Sequence, residues 1–437
     1  MSEPDFEVAV VGAGPAGALT AYLLARDGHS VVLIDRGATP GSKNLSGGVL
    51  YSRVLGQVFP DYLAQAPVER RITRNVVQFC TSDSAIGLDA WTGKLGDPVN
   101  AVTVLRAKLD AWLAEQCEQA GAFAMPGVRV DELLTEDAPG SALGRRVVGV
   151  RAGDDELRAH VVVAADGVNS FLSRSIGLRP APETHQLAVG VKAVIELGAG
   201  VIEDRFGVSG DDGAAHAFVG DCTQGVAGGG FCYTNRESVS LGVVLRLDDL
   251  VASGRAATDV FEHYLAHPAV QRLVRGGTMV EYGSHLVAEG GLAMLGEIDC
   301  DGMVVVGDAA GLTINSGLTV RGMDLAIGSG IAAAGAVHEA LTGADTSKAG
   351  LARYRRRLFE GFVGQDMRTY AKAPAFLERP RTYTDYGPLL EDIVLGVFGL
   401  DTTPREPLSR VVRAALRRAP VRTRDLAADA WAGVRAL

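Results

Sequence analysis

Three glycines at positions 12, 14 and 17, carboxylates at Asp35 and Asp308, and a guanidinium at Arg106 have the types and settings needed to hold a nucleotide. Gly12-Ala13-Gly14-Pro15-Ala16-Gly17 completes a G-x-G-x-x-G pattern. In such a pattern the first glycine permits a tight turn, the second lets backbone approach a pyrophosphate, and the third lets a helix pack closely on a strand. The phosphates then lie at a helix N-terminus, where free N–H groups and the helix dipole favour negative charge. Asp35 is placed to accept hydrogen bonds from ribose hydroxyls. Far downstream, Gly307-Asp308-Ala309-Ala310-Gly311 offers a second carboxylate that can bond a ribityl hydroxyl, followed by a helix able to point its N-terminus at a flavin ring. Together the two segments suggest one flavin held from both ends of a discontinuous domain.

These groups need particular elements to position them. Glu7–Val11 reads as an apolar strand, Ala18–Asp27 has helical spacing, and Ser30–Ile34 is a second strand ending at Asp35. The pattern alone does not separate FAD from NAD. Three later features bear on that choice. Thr103–Trp112 (TVLRAKLDAW) places Arg106 at the start of an amphipathic helix, although a surface helix with a solvated arginine would read the same way. His160–Ala165 is a strand run ending in Asp166-Gly167, which on its own could be only a turn. Met303–Val306 is a strand that delivers Gly307-Asp308. Gly328–Ala333 (GSGIAA) sits inside a helical run rather than after a strand, so it reads as close helix packing and not as a second nucleotide site.

GAGPAG, the R-x-x-L-D-x-W-L helix, the ADG strand end and GDAAG, in this order, resemble the FAD-binding fold of the p-hydroxybenzoate-hydroxylase and geranylgeranyl-reductase superfamily. Pro40–Tyr51 (PGSKNLSGGVLY) and Arg321–Ile327 (RGMDLAI) are similar to FixC and its relatives of the electron-transfer-flavoprotein:quinone oxidoreductase group. The resemblance covers most of the chain and is weakest from about Ile195 to His285. It implies an α/β fold: a discontinuous Rossmann-like FAD-binding domain (1–75, 100–180 and 290–345), an inserted antiparallel-sheet domain facing substrate or quinone (76–99 and 181–289), and a helical C-terminal region (346–437).

Carried onto this chain, the family pattern makes Gly12, Gly14 and Gly17, with Pro15 and Ala16 between them, the ADP cradle, and Asp35 the ribose acceptor. It makes Arg106 a contact to the phosphate or ribityl region and Asp308, after Gly307, a ribityl contact. Gly47, Gly48, Gly317, Gly322 and Met323 would pass close to the ring. Arg36, Lys43, Val130, Asp166 and Gly167 complete the implied set for a noncovalent FAD.

A net charge of −10 argues against nucleic acid as a main partner, because phosphate binding needs concentrated basic surface. Cys80, Cys117, Cys222, Cys232 and Cys300 are scattered, contain no CxxC pair and suit a reducing cytoplasm. No spacing suggests a nucleophile, a general base or a metal site, so no catalytic or metal-ligating side chain is expected. His216 and Tyr233 could face the flavin from the inserted sheet. The larger quinone oxidoreductases of the group carry an iron–sulfur cluster on C-terminal cysteines, whereas no cysteine follows Cys300 here. The resemblance therefore implies electron transfer from an electron-transfer flavoprotein, or from a reduced substrate, to a ferredoxin-like protein or a quinone. The alternatives are a stand-alone FAD-dependent reductase, dehydrogenase or monooxygenase on a small apolar metabolite, and an FAD-binding scaffold subunit without turnover.

Leu187–Glu196, Gly229–Thr234 and Val239–Leu247 alternate as strands, Gly225–Gly230 reads as a bend, and Thr258–Val274 as a helix against that sheet. Leu325–Val337, thirteen residues without a charge, is too short for a bilayer span and reads as a buried helix. From Arg405 onward eight arginines stand against three acids, a net of 8 − 3 = +5. The segment between Pro407 and Pro420 reads as a basic amphipathic helix. It could meet an anionic membrane or an acidic partner at the inner membrane face, or dock on its own protein. Leu389–Leu400 could dip into a membrane or belong to the core.

Overall fold

The computed structural model describes residues 3–44 and 47–437; Leu45 and Ser46, within the Pro40–Tyr51 segment, lie outside the described residues. Strands Phe6–Val11, Val31–Asp35, Asp155–Ala164, Met303–Val305 and Phe123–Pro126 pair in parallel, with Phe6–Val11 and Asp155–Ala164 at the centre. Val8–Val10 and Val161–Ala164 are fully buried, as expected of parallel strands covered on both faces. This pairing explains how distant segments meet. Val11 lies beside Ala164, which lies beside Val305, so the turns after all three strands open at one edge.

Two helices secure that edge. Pro15–Arg26, with proline in its first turn, packs along Met323–Thr342. A Cβ on Gly330 would lie 2.6 Å from the Ala16 carbonyl oxygen, so the GSGIAA stretch serves close helix packing. Met323–Thr342 has 20 residues and is long and apolar enough to cross a membrane, but 61% of its most apolar stretch is buried within the protein.

The second sheet has nine strands. Thr278–Ala288, Leu187–Glu196, Ser238–Arg246, Gly228–Thr234, Asp212–Gly220, Val68–Cys80, Val102–Leu105 and Gly47–Leu50 follow in that spatial order, and Ala85–Trp91 pairs with Val68–Cys80. The pairs are antiparallel except Val68–Cys80 with Asp212–Gly220. One face packs on a second hydrophobic core holding Val191, Ala193, Phe218, Phe206, Val260 and Tyr264. Because side chains alternate along a strand, Gly190, Lys192 and Val194 stand on the opposite face.

Two local expectations are corrected. Gly228–Gly230 begins a strand rather than a bend, and a Cβ on Gly230 would strike the Tyr264 ring. The 258–274 stretch is two helices, Ala257–Ala266 and Pro268–Val274, because Pro268 disfavours helical backbone at His267. The sequence also gives no sign that Arg70 is buried. Its guanidinium donates to the carbonyls of Asn235, Gly210, Asp212 and Arg236 at 2.8–3.1 Å and so ties the 210–212 and 235–236 segments to its own strand.

The C-terminal region is helical, and Asp429 anchors its last helix, Thr423–Ala436. Its carboxylate accepts from Arg381 at 2.9 and 3.0 Å and also from Arg379 and Tyr386. Arg381 and the other donors hold the Asp429 pKa down to about 2. A depressed carboxylate stabilises the fold above the ordinary value of 3.8 and loses that contribution as pH falls through 2. Asp429→Ala is expected to cost about 1–2 kcal/mol at neutral pH and to speed proteolysis near residue 430. The stability difference should vanish towards pH 2.

Candidate active site

The Gly12–Gly17 loop is built where the first strand turns into its helix. Gly12 N donates to Ile34 O at 2.8 Å, and Ala165 N donates to Val11 O at 2.9 Å. Gly12 has φ +107, and a Cβ there would collide with the Ala165 carbonyl. Gly17 is pressed equally hard, since its Cβ would lie 3.0 Å from Ala165 Cβ. Gly14 differs: only Arg106 Nη2, at 3.6 Å, lies within 4 Å of its would-be Cβ, so its backbone faces open space. Asp35 is turned into this loop, accepting from Ala13 N at 2.9 Å and Gly37 N at 2.7 Å. Each carboxylate oxygen keeps a lone pair for a further donor. A cavity of about 220 Å³ opens beside it, lined by Ala13, Asp35, Pro40, Glu118 and Pro126. A broader cleft of about 670 Å³ near Glu339 and Arg353 lies at the C-terminal end of the Met323–Thr342 helix, the end away from the motifs.

Arg106 opens the helix Arg106–Gln119. Its guanidinium clasps Asp110 through Nε at 2.8 Å and Nη2 at 2.7 Å, and Asn44 Nδ2 reaches the same carboxylate at 2.9 Å. Burial opposes the arginine's charge, but Asp110 and Asp308 more than offset it and lift its pKa. Asp110 is fully buried and holds Arg106 beside Gly14. The sequence signal for it was present, a carboxylate four residues after an arginine on one helix face.

At the other end, Gly307–Ala310 forms a tight turn whose Gly307 N–H donates to Ser329 Oγ at 2.9 Å. Buried Arg179 braces the turn from below by donating to the Ala309 and Met294 carbonyls. Among the described residues no hydrogen bond to the Asp308 carboxylate is seen; burial raises its pKa, and the charges of Arg106 and Lys192 partly oppose that rise. Asp166 accepts from Leu172 N at 3.0 Å, while its Oδ1 is buried without a partner among the described residues. Burial raises this carboxyl too, against the pull of the backbone N–H groups around it.

The two longer family segments meet. A Cβ on Gly48 would lie 3.3 Å from Met323 Cε, and Arg321 stacks over the Tyr51 ring at 5.8 Å while pairing with Asp324 and Asp366 at 2.6 Å. Gly47 is needed for strand pairing, since its Cβ would lie 2.8 Å from the Val104 carbonyl carbon. Gly317 abuts Leu377 and Gly322 abuts Thr313. Arg36 and Lys43 are exposed, and Val130 sits partly buried in the loop after Phe123–Pro126, while Gly167 follows Asp166 with φ +76. His216 does not face this region. It packs between Phe206 and Phe218 on the far side of the sheet, and burial holds its imidazole down to about 4.

Glu289 links to the same loop. Its Oε2 accepts from Asn315 Nδ2 at 3.0 Å, and Asn315 Oδ1 accepts from Gly317 N at 2.8 Å. Burial pushes this carboxyl up from 4.5 to about 7. A raised acid pKa favours the folded state fully below 4.5, and that contribution is lost as pH rises through 7. Glu289→Gln is expected to raise stability by about 1–3 kcal/mol at pH 8, with the gain shrinking towards pH 5. Urea melts of both proteins across that range provide the check, and a gain independent of pH would contradict it.

The donor set fits a flavin dinucleotide: bare backbone at Gly14, acceptors at Asp35 and Asp308, an orphan oxygen on Asp166 and a fixed cation at Arg106. A family profile described as "FAD binding domain" matches residues 5–199. The chain is 46% identical over 413 residues to a probable electron transfer flavoprotein-quinone oxidoreductase, YdiS, of Escherichia coli (strain K12), covering 94% of this chain and 95% of that protein. It is 43% identical to Protein FixC of Salmonella typhi with the same coverage. Among solved structures, a geranylgeranyl bacteriochlorophyll reductase-like protein of Thermoplasma acidophilum superposes with a TM-score of 0.71. Its identity is 20%, and the match covers 95% of this chain and 96% of that one.

Proposed function

This chain belongs to the family of FixC and the electron transfer flavoprotein-quinone oxidoreductases, which are FAD-dependent oxidoreductases, and we propose that it passes electrons from an electron-transfer flavoprotein to a quinone. The observation that carries this reading is the meeting of the two family-specific segments, Gly48 against Met323 and Tyr51 against Arg321, at the mouth of the FAD cradle. When bound, FAD supplies the redox chemistry, accepting electrons from one partner and releasing them to the next.

The protein's part is to bind and orient. Gly12, Gly14 and Gly17, with Pro15 and Ala16, present backbone and a helix N-terminus to the diphosphate. Asp35 holds the ribose, and Arg36, Lys43 and Val130 border the adenine side. Arg106 holds phosphate or ribityl oxygen, Asp308 holds the ribityl chain, and Asp166 and Gly167 close the cradle. Gly47, Gly48, Gly317, Gly322 and Met323 surround the ring. The FAD domain is drawn as 1–75, 100–180 and 290–345, and 76–99 with 181–289 as the acceptor side, although strands Gly47–Leu50, Val68–Cys80 and Val102–Leu105 pair into the second sheet. No side chain need act as nucleophile or base.

A ferredoxin-like protein as alternative acceptor is supported by the cysteines, which are all buried and widely spaced. Peripheral membrane contact is supported by the tip between helices Tyr386–Phe398 and Leu408–Arg418. Phe398 and Leu400 are 77% and 75% exposed there, and Arg405 donates to the Gly399 and Val397 carbonyls at 2.8 and 2.9 Å. The first half of Leu389–Leu400 is instead packed inward at Leu389.

Anaerobic mixing tests the donor. The oxidised chain should bleach within the mixing experiment when reduced electron-transfer flavoprotein is added, and stay oxidised with NADH or NADPH alone. Rapid bleaching by a nicotinamide, with none by the flavoprotein, would sink the reading. Flotation with anionic phospholipid vesicles tests the membrane contact, which Phe398→Ser with Leu400→Ser should abolish.

A further inference from the structure

Lys192 lies at the middle of Leu187–Glu196, on the sheet face opposite the helix-covered core. Its cross-strand neighbours are glycines on both sides, Gly242 and Gly283, and a third glycine, Gly190, stands two residues before it. A Cβ on Gly190 would lie 3.4 Å from Lys192 Cε and from Val287 Cγ2, so the lysine stem runs back over Gly190, while the Phe231 ring lies over Gly242. What acts on the ammonium are burial and the charges of Arg106, Asp308 and Glu281. Arg106 and Asp308 are residues of the FAD cradle, so this face of the sheet looks onto the cradle.

We propose that Lys192 is the cation that stabilises the negative charge FAD gains on reduction, and so sets its reduction potential. This inference rests on the FAD-dependent electron-transfer reading above. Two electrons from the flavoprotein donor and one proton from solvent leave the cofactor one negative charge richer, and a fixed cation in a partly desolvated site favours that product. The other candidate cations there are already paired or neutral. Arg106 is clasped by Asp110, and His285, paired opposite Gly190, stays neutral because burial, Lys192 and Arg106 push its imidazole down to about 3. Burial leaves Lys192 itself with a pKa of about 8, so it remains mostly protonated at neutral pH, and added negative charge would strengthen its protonation.

The test compares the FAD-loaded wild type with Lys192→Met, Lys192→Gln and Lys192→Arg. Potentials are measured by anaerobic titration against reference dyes, with sulfite affinity of the oxidised protein as an independent readout. FAD content and melting temperature serve as controls. Lys192→Met and Lys192→Gln should shift the reduced-to-oxidised ratio at least tenfold towards oxidised, about 30 mV for a two-electron couple, and weaken sulfite binding at least tenfold. Lys192→Arg should stay within threefold of wild type on both. A FAD-loaded Lys192→Met or Lys192→Gln protein with wild-type potential and sulfite affinity overturns the inference while leaving the proposed function standing. A wild-type protein that cannot be loaded with FAD overturns both.

Discussion

Replacing Gly12 by alanine is expected to leave the protein without FAD and to cost about 2–6 kcal/mol of stability. The added methyl would meet Ala165 backbone, with the carbonyl carbon only 2.8 Å away, and the residue would be held at φ +107, where L side chains are strained. Ala165 continues the central strand Asp155–Ala164, so it cannot retreat without opening the parallel pairing beside Val11. If the turn moves instead, Ala13 N leaves Asp35 and the helix N-terminus no longer faces the diphosphate. Gly14→Ala separates the two effects. Its Cβ meets only Arg106 Nη2, at an ordinary contact distance of 3.6 Å, so stability should hold within about 1 kcal/mol of wild type, while backbone approach to the diphosphate is blocked. Urea melts together with the FAD-to-protein ratio decide the matter. Gly12→Ala with full FAD content would contradict this account of the turn.

The second large effect concerns Asp110. It is fully buried, clasped by Arg106 and contacted by Asn44, and removing it leaves a partly buried guanidinium unpaired. Asp110→Leu is expected to cost about 3–5 kcal/mol. Replacing both partners, with Arg106→Met, should recover most of that loss, because an apolar pair in place of an ion pair is often neutral in stability. FAD affinity should not recover with it. The double variant is expected to bind FAD at least tenfold more weakly than wild type, since the arginine itself is proposed to hold the cofactor. If FAD affinity returns together with stability, Arg106 is only a structural brace and its place in the binding set is wrong.

The nucleotide cradle was legible because its demands are local. A glycine pattern between a strand and a helix, and an acid at the next strand end, can be read from a short stretch of chain, and Phe6–Val11, Pro15–Arg26 and Val31–Asp35 appear within a few residues of their expected limits. The GDAAG turn after its strand was legible for the same reason, as were the strand Leu187–Glu196 and the buried helix Met323–Thr342, although that helix runs past the uncharged stretch to Thr342. What escaped notice depends on distant partners. Arg70 and Arg179 are buried among carbonyls from remote segments, and an isolated arginine carries no local mark of that fate. Lys192 stood in an ordinary alternating strand; its glycine neighbours, Gly242 and Gly283, appear only through strand pairing. His216 was misjudged because alternation gives two faces without saying which one the helices cover.

The most direct test of the central claim is an anaerobic coupled assay. It contains reduced electron-transfer flavoprotein, a soluble short-chain quinone and catalytic amounts of the FAD-loaded chain. Quinone reduction should depend on the chain, follow its concentration, and match the flavoprotein consumed at one quinone per electron pair. Quinone left unreduced while the chain's own FAD cycles only with NADH or NADPH would contradict the account.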